Sequence, residues 1–219
     1  MYDKRNLEVD FKITYLDLKN LGKYYFLPII IMFIVVPTLL ILKYLAVKDI
    51  KILTTDMIAY TELFSAISSI WWIMMISRQY IEVDGNEILY VYKKMRIGQV
   101  LILFLWYIVN ISILFLGYSF FFENILSEYI KILIQSLFFI SISYMLVYTF
   151  KLVSIPMMII LGYIISFSLF FKDKINYINI FTIQEVTNSQ IVSNKYLILL
   201  IISIFILFIG MYKNYKYLN

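Results

Sequence analysis

The sequence predicts an all-α polytopic membrane protein: six transmembrane helices, an N-terminal amphipathic interfacial helix and a short, charged cytoplasmic segment between helices 2 and 3. Three observations carry this prediction. Apolar residues make up 63% of the 219-residue chain and charged residues only 15%, against roughly 45–50% and 25% in soluble domains. The mean hydropathy is +0.86. Six apolar stretches reach the about 20 helical residues needed to cross a hydrocarbon core about 30 Å thick.

The lead-in, residues 1–25, mixes charge and apolar side chains. Tyr15, Leu16, Leu18, Leu21 and Tyr25 fall at roughly helical spacing among Asp17, Lys19, Asn20 and Lys23, the pattern of a helix lying on a membrane face or of a solvated helical extension. It has no short apolar core followed by a small-residue cleavage site, so the first span is expected to serve as the insertion signal. The spans are expected at Phe26–Val47, Ile58–Ser77, Val100–Phe122, Tyr129–Phe150, Leu152–Phe171 and Tyr196–Tyr212. Lys151 divides the fourth from the fifth and predicts a tight turn. Pro37 and Pro156 predict bends, and Trp71 and Trp72 read as interfacial anchors.

Lysine and arginine set the expected orientation. With the N-terminus cytoplasmic, the inside holds twelve (Lys4, Arg5, Lys12, Lys19, Lys23, Arg78, Lys93, Lys94, Arg96, Lys151, Lys213, Lys216) and the outside seven (Lys43, Lys48, Lys51, Lys131, Lys172, Lys174, Lys195). Both termini and the 78–98 segment are therefore expected in the cytoplasm, and the 172–195 connection outside. Many apolar residues in that connection predict a short helix or hairpin dipping into the headgroups, with an ordered surface loop as the alternative. The chain reads as one six-span domain of the cell membrane. Its net charge of +5 is scattered over loops and flanks rather than gathered in a tract, so no nucleic-acid partner is expected.

Histidine and cysteine are both absent. That removes Cys/His zinc sites, thiol nucleophiles, disulfides and histidine acid–base chemistry. No two carboxylates are spaced on one buried helix face, so an intramembrane hydrolase is disfavoured, and no catalytic residue, metal ligand or cofactor is assigned. The six glycines are too dispersed for a phosphate-cradling P-loop. If the protein is an ATP-driven pump, another chain binds the ATP and magnesium.

Within the spans, Glu62 is the acidic residue expected to matter. Its burial is costly enough to make gating, substrate contact or a proton site the default hypothesis, with pairing to a neighbouring lysine or tyrosine as the bland alternative. Asn110, and the row Gln135, Ser136, Ser141 and Ser143, either line a polar path or hold helices together by hydrogen bonds. Glu62 and Asn110 form the candidate intramembrane polar site.

The segment Arg78–Gly98, RQYIEVDGNEILYVYKKMRIG, is dense in charge between two apolar blocks. Asp84-Gly85-Asn86 is a turn signal. Either a hairpin centred there or a short helix from Asn86 to Lys94 satisfies the pattern, and a plain connection between spans remains a third option. The helix would group Ile88, Leu89 and Tyr92 on one apolar side, suited to a partner's groove.

Glu82, Gly85, Glu87, Ile88 and Leu89, followed by the basic Lys93, Lys94 and Arg96, stand in the order of a known motif. With the lead-in, six spans and a longer outer connection before the last, they make the chain resemble the small six-span permease subunits of ABC-2-type ABC transporters. This chain departs from that family's pattern in having Asn86 after the glycine, no proline before the basic residues, and a closer glycine–glutamate spacing. The resemblance implies that 78–98 is a coupling segment docking on a cytoplasmic ABC ATPase, with Glu82, Gly85, Glu87, Ile88, Leu89 and Tyr92 as contact residues. It further implies a dimer with itself or a related permease and, given the aromatic and aliphatic spans, export of a hydrophobic or amphipathic cargo such as a peptide, drug or lipid. Alternative readings are the six-span substrate subunit of an energy-coupling-factor importer, disfavoured because Ala46 is the only alanine of the first span, and a non-transport regulatory membrane protein.

Overall fold

The computed structural model describes residues 4–82, 97–122, 125–169, 180–181 and 189–216. The described chain is helical, with no strand among the described residues. Helix α1 spans Lys4–Asn20. It ends at Leu21 and Gly22, where φ is +55°, a left-handed value that glycine adopts without the Cβ clash other residues meet. The chain turns there into α2, Gly22–Val47.

Helix α2 opens with a 3₁₀ turn and carries a π-type stretch at Ile31–Val35 directly before Pro37. Pro37 has no N–H to give, so the helix relaxes its pitch in the turn before it; Thr38 Oγ1 donates to the carbonyl of Ile34 at 2.6 Å. The expected bend at Pro37 thus takes the form of a bulge. Lys48, at φ 54°, closes the helix by donating its N–H to Tyr44 O.

Helix α3 follows at Ile50–Ile81, α4 at Ile97–Tyr118, α5 at Ile125–Phe150, α6 at Ser154–Leu169 and α7 at Ser189–Lys216. Five of these, α2, α3, α4, α5 and α7, are long and apolar enough to cross a membrane, so the chain is a polytopic helical membrane protein. Helix α6 is apolar but shorter: its 16 residues reach about 24 Å. The turn predicted at Lys151 is present, with Lys151 at φ 58° between α5 and α6. Pro156 is a correction. It sits in the first turn of α6, where a missing N–H has no intrahelical acceptor to lose, and it starts that helix instead of bending one.

Helix α5 is the centre of the bundle. Its most extensive packing is with α7, then with α3, and it also touches α4 and α6. Ile132, Phe139, Ile140, Tyr144 and Val147 on α5 are each at most 1% exposed. The peripheral helices differ in kind. Only 22% of the apolar window of α2 and 17% of that of α7 is buried, so most of their leucine, isoleucine and phenylalanine surface faces outward, as lipid-exposed helices do.

The buried residues of α7 fall on one stripe: Tyr196, Ser203 and Gly210 repeat at seven-residue intervals. This is the repeat of a left-handed helix pair, with small residues letting the backbones close. A Cβ on Gly210 would lie 2.6 Å from Tyr144 Cδ1 and 3.2 Å from the Met145 Cα. One turn further on, Asn214 Nδ2 donates to Tyr144 Oη at 2.7 Å.

Trp71 and Trp72 depart from the expectation of membrane anchors. Their indole N–H groups donate to Tyr24 O (3.0 Å) and Tyr25 O (3.2 Å), so they lash α3 to the start of α2, and Trp72 is 1% exposed.

Candidate functional site

Two polar sites stand out, one inside the bundle and one at its end. Inside, Glu62 on α3 is 2% exposed. It pairs with Lys131 on α5, Nζ to Oε1 2.7 Å. Lys131 also pairs with Glu128, one turn earlier on the same helix. Gln135, one turn later, donates through Nε2 to Glu62 Oε1 at 3.3 Å and to Ile180 O at 2.9 Å. Lys195 in the second turn of α7 is half-buried and close enough to Glu62 to interact electrostatically.

Ionised groups survive at this depth because each carboxylate meets an ammonium; isolated, either sign would cost several kcal/mol to hold out of water. Glu128, Lys131 and Gln135 share one side of α5 by their spacing of three and four residues. In a span expected at Ile58–Ser77, Glu62 would lie about one turn from the end. The helix starts earlier, at Ile50 and not Ile58, so Glu62 lies deep enough to require an internal partner. Lys131, counted above among outer-loop cations, is instead a core residue at 1% exposure and carries no information on orientation.

The cluster continues into a seam of hydroxyls. Thr61 Oγ1 reaches Tyr118 Oη (3.4 Å), and Ser136 Oγ donates to Tyr107 Oη (2.8 Å), tying α4 to its neighbours α3 and α5. Asn110, the other expected member of the intramembrane site, is not brought to Glu62 by any contact described; its Nδ2 donates to Trp106 O, one turn back on α4 (2.8 Å). Ser141 and Ser143 likewise return to carbonyls of their own helix, Leu137 O and Phe139 O. Gln135 and Ser136 are the members of that row that bond across helices.

Ile180 and Phe181 belong to the connection between α6 and α7. They pack inside the bundle: Phe181 is 2% exposed and stacks on Phe139 of α5, centroids 5.9 Å apart and planes at 23°. Ile180 O accepts from Gln135 and from Tyr196 Oη. Beside this insertion lies a cavity of about 300 Å³ between α5 and α6. It is lined by Phe138, Phe139, Ile142 and Leu146 on one side and by Ile159, Ile160 and Tyr163 on the other. No cluster of three or more potential metal ligands occurs among the described residues.

At the end of the bundle, Asp17 on α1 is 3% exposed. Its Oδ2 accepts from Tyr80 Oη at 2.5 Å and from Gln99 Nε2 at 3.2 Å. Tyr80 is in the last turn of α3 and Gln99 in the first of α4, so one carboxylate of the lead-in joins both stems of the 83–96 segment. The lead-in therefore packs with Asp10, Thr14 and Asp17 buried, while Phe11, Tyr15 and Leu16 are turned outward at 60%, 60% and 51% exposure.

Glu82 occupies a different place from the one expected of a docking residue. Its Oε1 accepts the N–H of Val153 at 2.6 Å, capping the start of α6, while Oε2 pairs with Arg78 at 3.3 Å. A carboxylate is favoured there by the unpaired N–H groups and the positive end of the helix dipole. Glu82→Ala is expected to cost about 1 kcal/mol, the usual loss of an N-terminal cap, and to raise amide exchange selectively in residues 151–157. Unchanged exchange there would show that the cap is not formed in the membrane. Gly85, Glu87, Ile88, Leu89 and Tyr92 lie outside the described residues, as do the helix and hairpin alternatives for the segment that holds them.

Sequence reasoning missed Glu128, Lys131 and Lys195 as site residues. The available signal was the spacing Glu128, Lys131, Gln135, three polar groups on one side of an otherwise apolar helix. A scan of the chain against family models finds no match, and neither do searches of curated proteins and of solved structures.

Proposed function

We propose that the chain is the membrane-spanning permease subunit of an ATP-driven exporter of the ABC-2 type, coupled through residues 78–98 to a separate cytoplasmic ATPase that binds ATP and magnesium. The observation that carries this reading is the anchoring of that segment's stems. Asp17 holds Tyr80 and Gln99 together, and Glu82 holds the end of α3 to the start of α6. A load applied to the segment is thereby delivered to α1, α3, α4 and α6 together instead of being absorbed by a slack loop. Charged residues concentrated in such a segment, in a chain without a P-loop, suit docking to a soluble partner.

In this reading α6 completes six spans, with both termini and the 78–98 segment on the cytoplasmic face of the cell membrane. The lead-in lies along that face as an interfacial helix: Phe11, Tyr15 and Leu16 meet the headgroups, and Asp10, Thr14 and Asp17 face the bundle. Two protomers, identical or related, enclose the pathway. Closure of the ATPases on ATP pushes on 78–98, tilts α3 and α4, and strains the Glu62–Lys131–Gln135 bridge between α3 and α5.

Glu87→Lys and Leu89→Asp each test the coupling. Co-purification of the partner ATPase, and stimulation of its ATP hydrolysis, are expected to fall at least about tenfold, as loss of a buried interface anchor does. Retention of both in both variants would refute the assignment of the segment.

A further inference from the structure

The side of α5 that carries the buried charges does not stop at Gln135. Glu128, Lys131, Gln135, Phe139, Ile142 and Leu146 follow one another at three- and four-residue steps, a single side of the helix about 27 Å long. It is charged at one end, and at the other it forms the wall of the apolar cavity between α5 and α6. The two parts meet at Ile180, which lines the cavity and whose carbonyl accepts from Gln135.

The charged end is short of donors. Glu128 Oε1 and Gln135 Oε1 are both buried acceptors without a hydrogen-bond partner, on side chains 6% and 2% exposed. Two carboxylates, Glu62 and Glu128, share the buried ammonium of Lys131; Lys195, half-buried at the edge, also interacts electrostatically with Glu62. A buried acceptor calls for a donor, and because one of the two here belongs to a carboxylate, a cationic donor suits it best. A primary ammonium supplies both, with three N–H groups and one charge. The cavity, at about 300 Å³, is at the small end of ligand pockets and suits one aliphatic chain. Ile159, in its lining, is 49% exposed, so the cavity opens there at the surface of α6.

We propose that this side of α5 binds a single-chain amphiphile with a primary ammonium head: the head between Glu128 and Gln135, and the chain in the α5–α6 cavity. This names the cargo class for the permease reading and rests on it. A diacyl phosphoethanolamine lipid offers the same ammonium but brings a phosphate anion against two carboxylates and a second chain that the cavity does not hold.

The test uses the full-length protein in phosphatidylcholine nanodiscs, without ATPase, and dodecylamine carrying a photoreactive diazirine near the chain end. Saturable labelling of Ile142, Leu146 or Ile159, located by mass spectrometry, is expected. The matching dodecanol probe is expected to label the lipid-facing helices without saturation. Ile159→Trp, which fills the mouth at a half-exposed position, is expected to reduce amine labelling about tenfold, and Glu128→Gln to reduce it comparably. Saturable labelling of the same residues by the alcohol, or undiminished amine labelling in Ile159→Trp, would overturn the proposal, and the first of these needs no variant to fold. Equal competition by lysophosphatidylethanolamine would overturn the free amine in favour of the lipid. Because the ATPase is absent, a negative result removes the cargo class and leaves the coupling assignment to its own experiment.

Discussion

Lys131→Met is expected to be the most damaging single substitution in the bundle, lowering stability by about 3–5 kcal/mol. The methionine fills similar volume, so the loss is electrostatic. Glu62 and Glu128, 2% and 6% exposed, would face each other in an apolar interior without the ammonium that both now share. Neutralising them as well, in Lys131→Met/Glu62→Gln/Glu128→Gln, is expected to recover most of the loss, because a buried ion pair is worth little more than a well-packed neutral replacement. Denaturant titration in mixed micelles measures both. Equal instability of the single and triple variants would show that packing volume, and not charge, is what Lys131 supplies.

Gly210→Ala carries the second largest expected effect. The added methyl would sit 2.6 Å from Tyr144 Cδ1. That ring has little freedom to move aside, because Asn214 holds its hydroxyl and Tyr148 packs edge-on at 5.0 Å. Helices α5 and α7 must part instead, at a cost of about 1–3 kcal/mol for overpacking a close-fitted contact. Removing the obstructing ring, in Gly210→Ala/Tyr144→Ala, should cost less than the sum of the two single changes, the non-additivity of residues in direct contact. A Gly210→Ala variant within about 0.5 kcal/mol of the parent, the range of an ordinary surface change, would contradict the close approach of α5 and α7.

Where apolar runs end in a lone lysine, the sequence was a good guide. Val47 and Phe150 close their helices as expected, and Lys48 and Lys151 take the left-handed conformation that stops them. Helix starts were misjudged where polar residues pair off. Thr54, Thr55 and Asp56 lower the hydropathy before Ile58, yet α3 begins at Ile50, and Asp56 is met by Lys43 at 3.4 Å. Glu128, which pairs with Lys131, likewise pushed the expected start of the fourth span to Tyr129, although α5 begins at Ile125. A hydropathy sum scores each charge as if it stood alone, whereas a pair in contact cancels most of that cost.

The same blindness hid most of the intramembrane site. Glu62 was visible because it stands alone in an apolar window; its partner on α5 was visible only as a loop cation. The inward reach of Ile180 and Phe181 had no periodic signature to reveal it, since what holds them is a carbonyl bonded by Gln135 and a ring stacked on Phe139. Nor did the spacing of α1 show that Asp10, Thr14 and Asp17 turn inward. A carboxylate with a tyrosine hydroxyl and an amide to accept from is better placed inside than an unpartnered leucine is forced inward by hydropathy.

The proposed coupling role of residues 78–98 is open to a direct measurement because the chain has no cysteine, so a single thiol can be placed without background. In inverted membrane vesicles, Leu89→Cys is expected to react with a membrane-impermeant maleimide, to be protected from it when the partner ATPase is added, and to form a cross-link to that ATPase with a short bifunctional reagent. A thiol at position 89 that reacts equally with and without the ATPase, or that is labelled only from the outer face of intact cells, would contradict the assignment of residues 78–98 as the cytoplasmic docking lever.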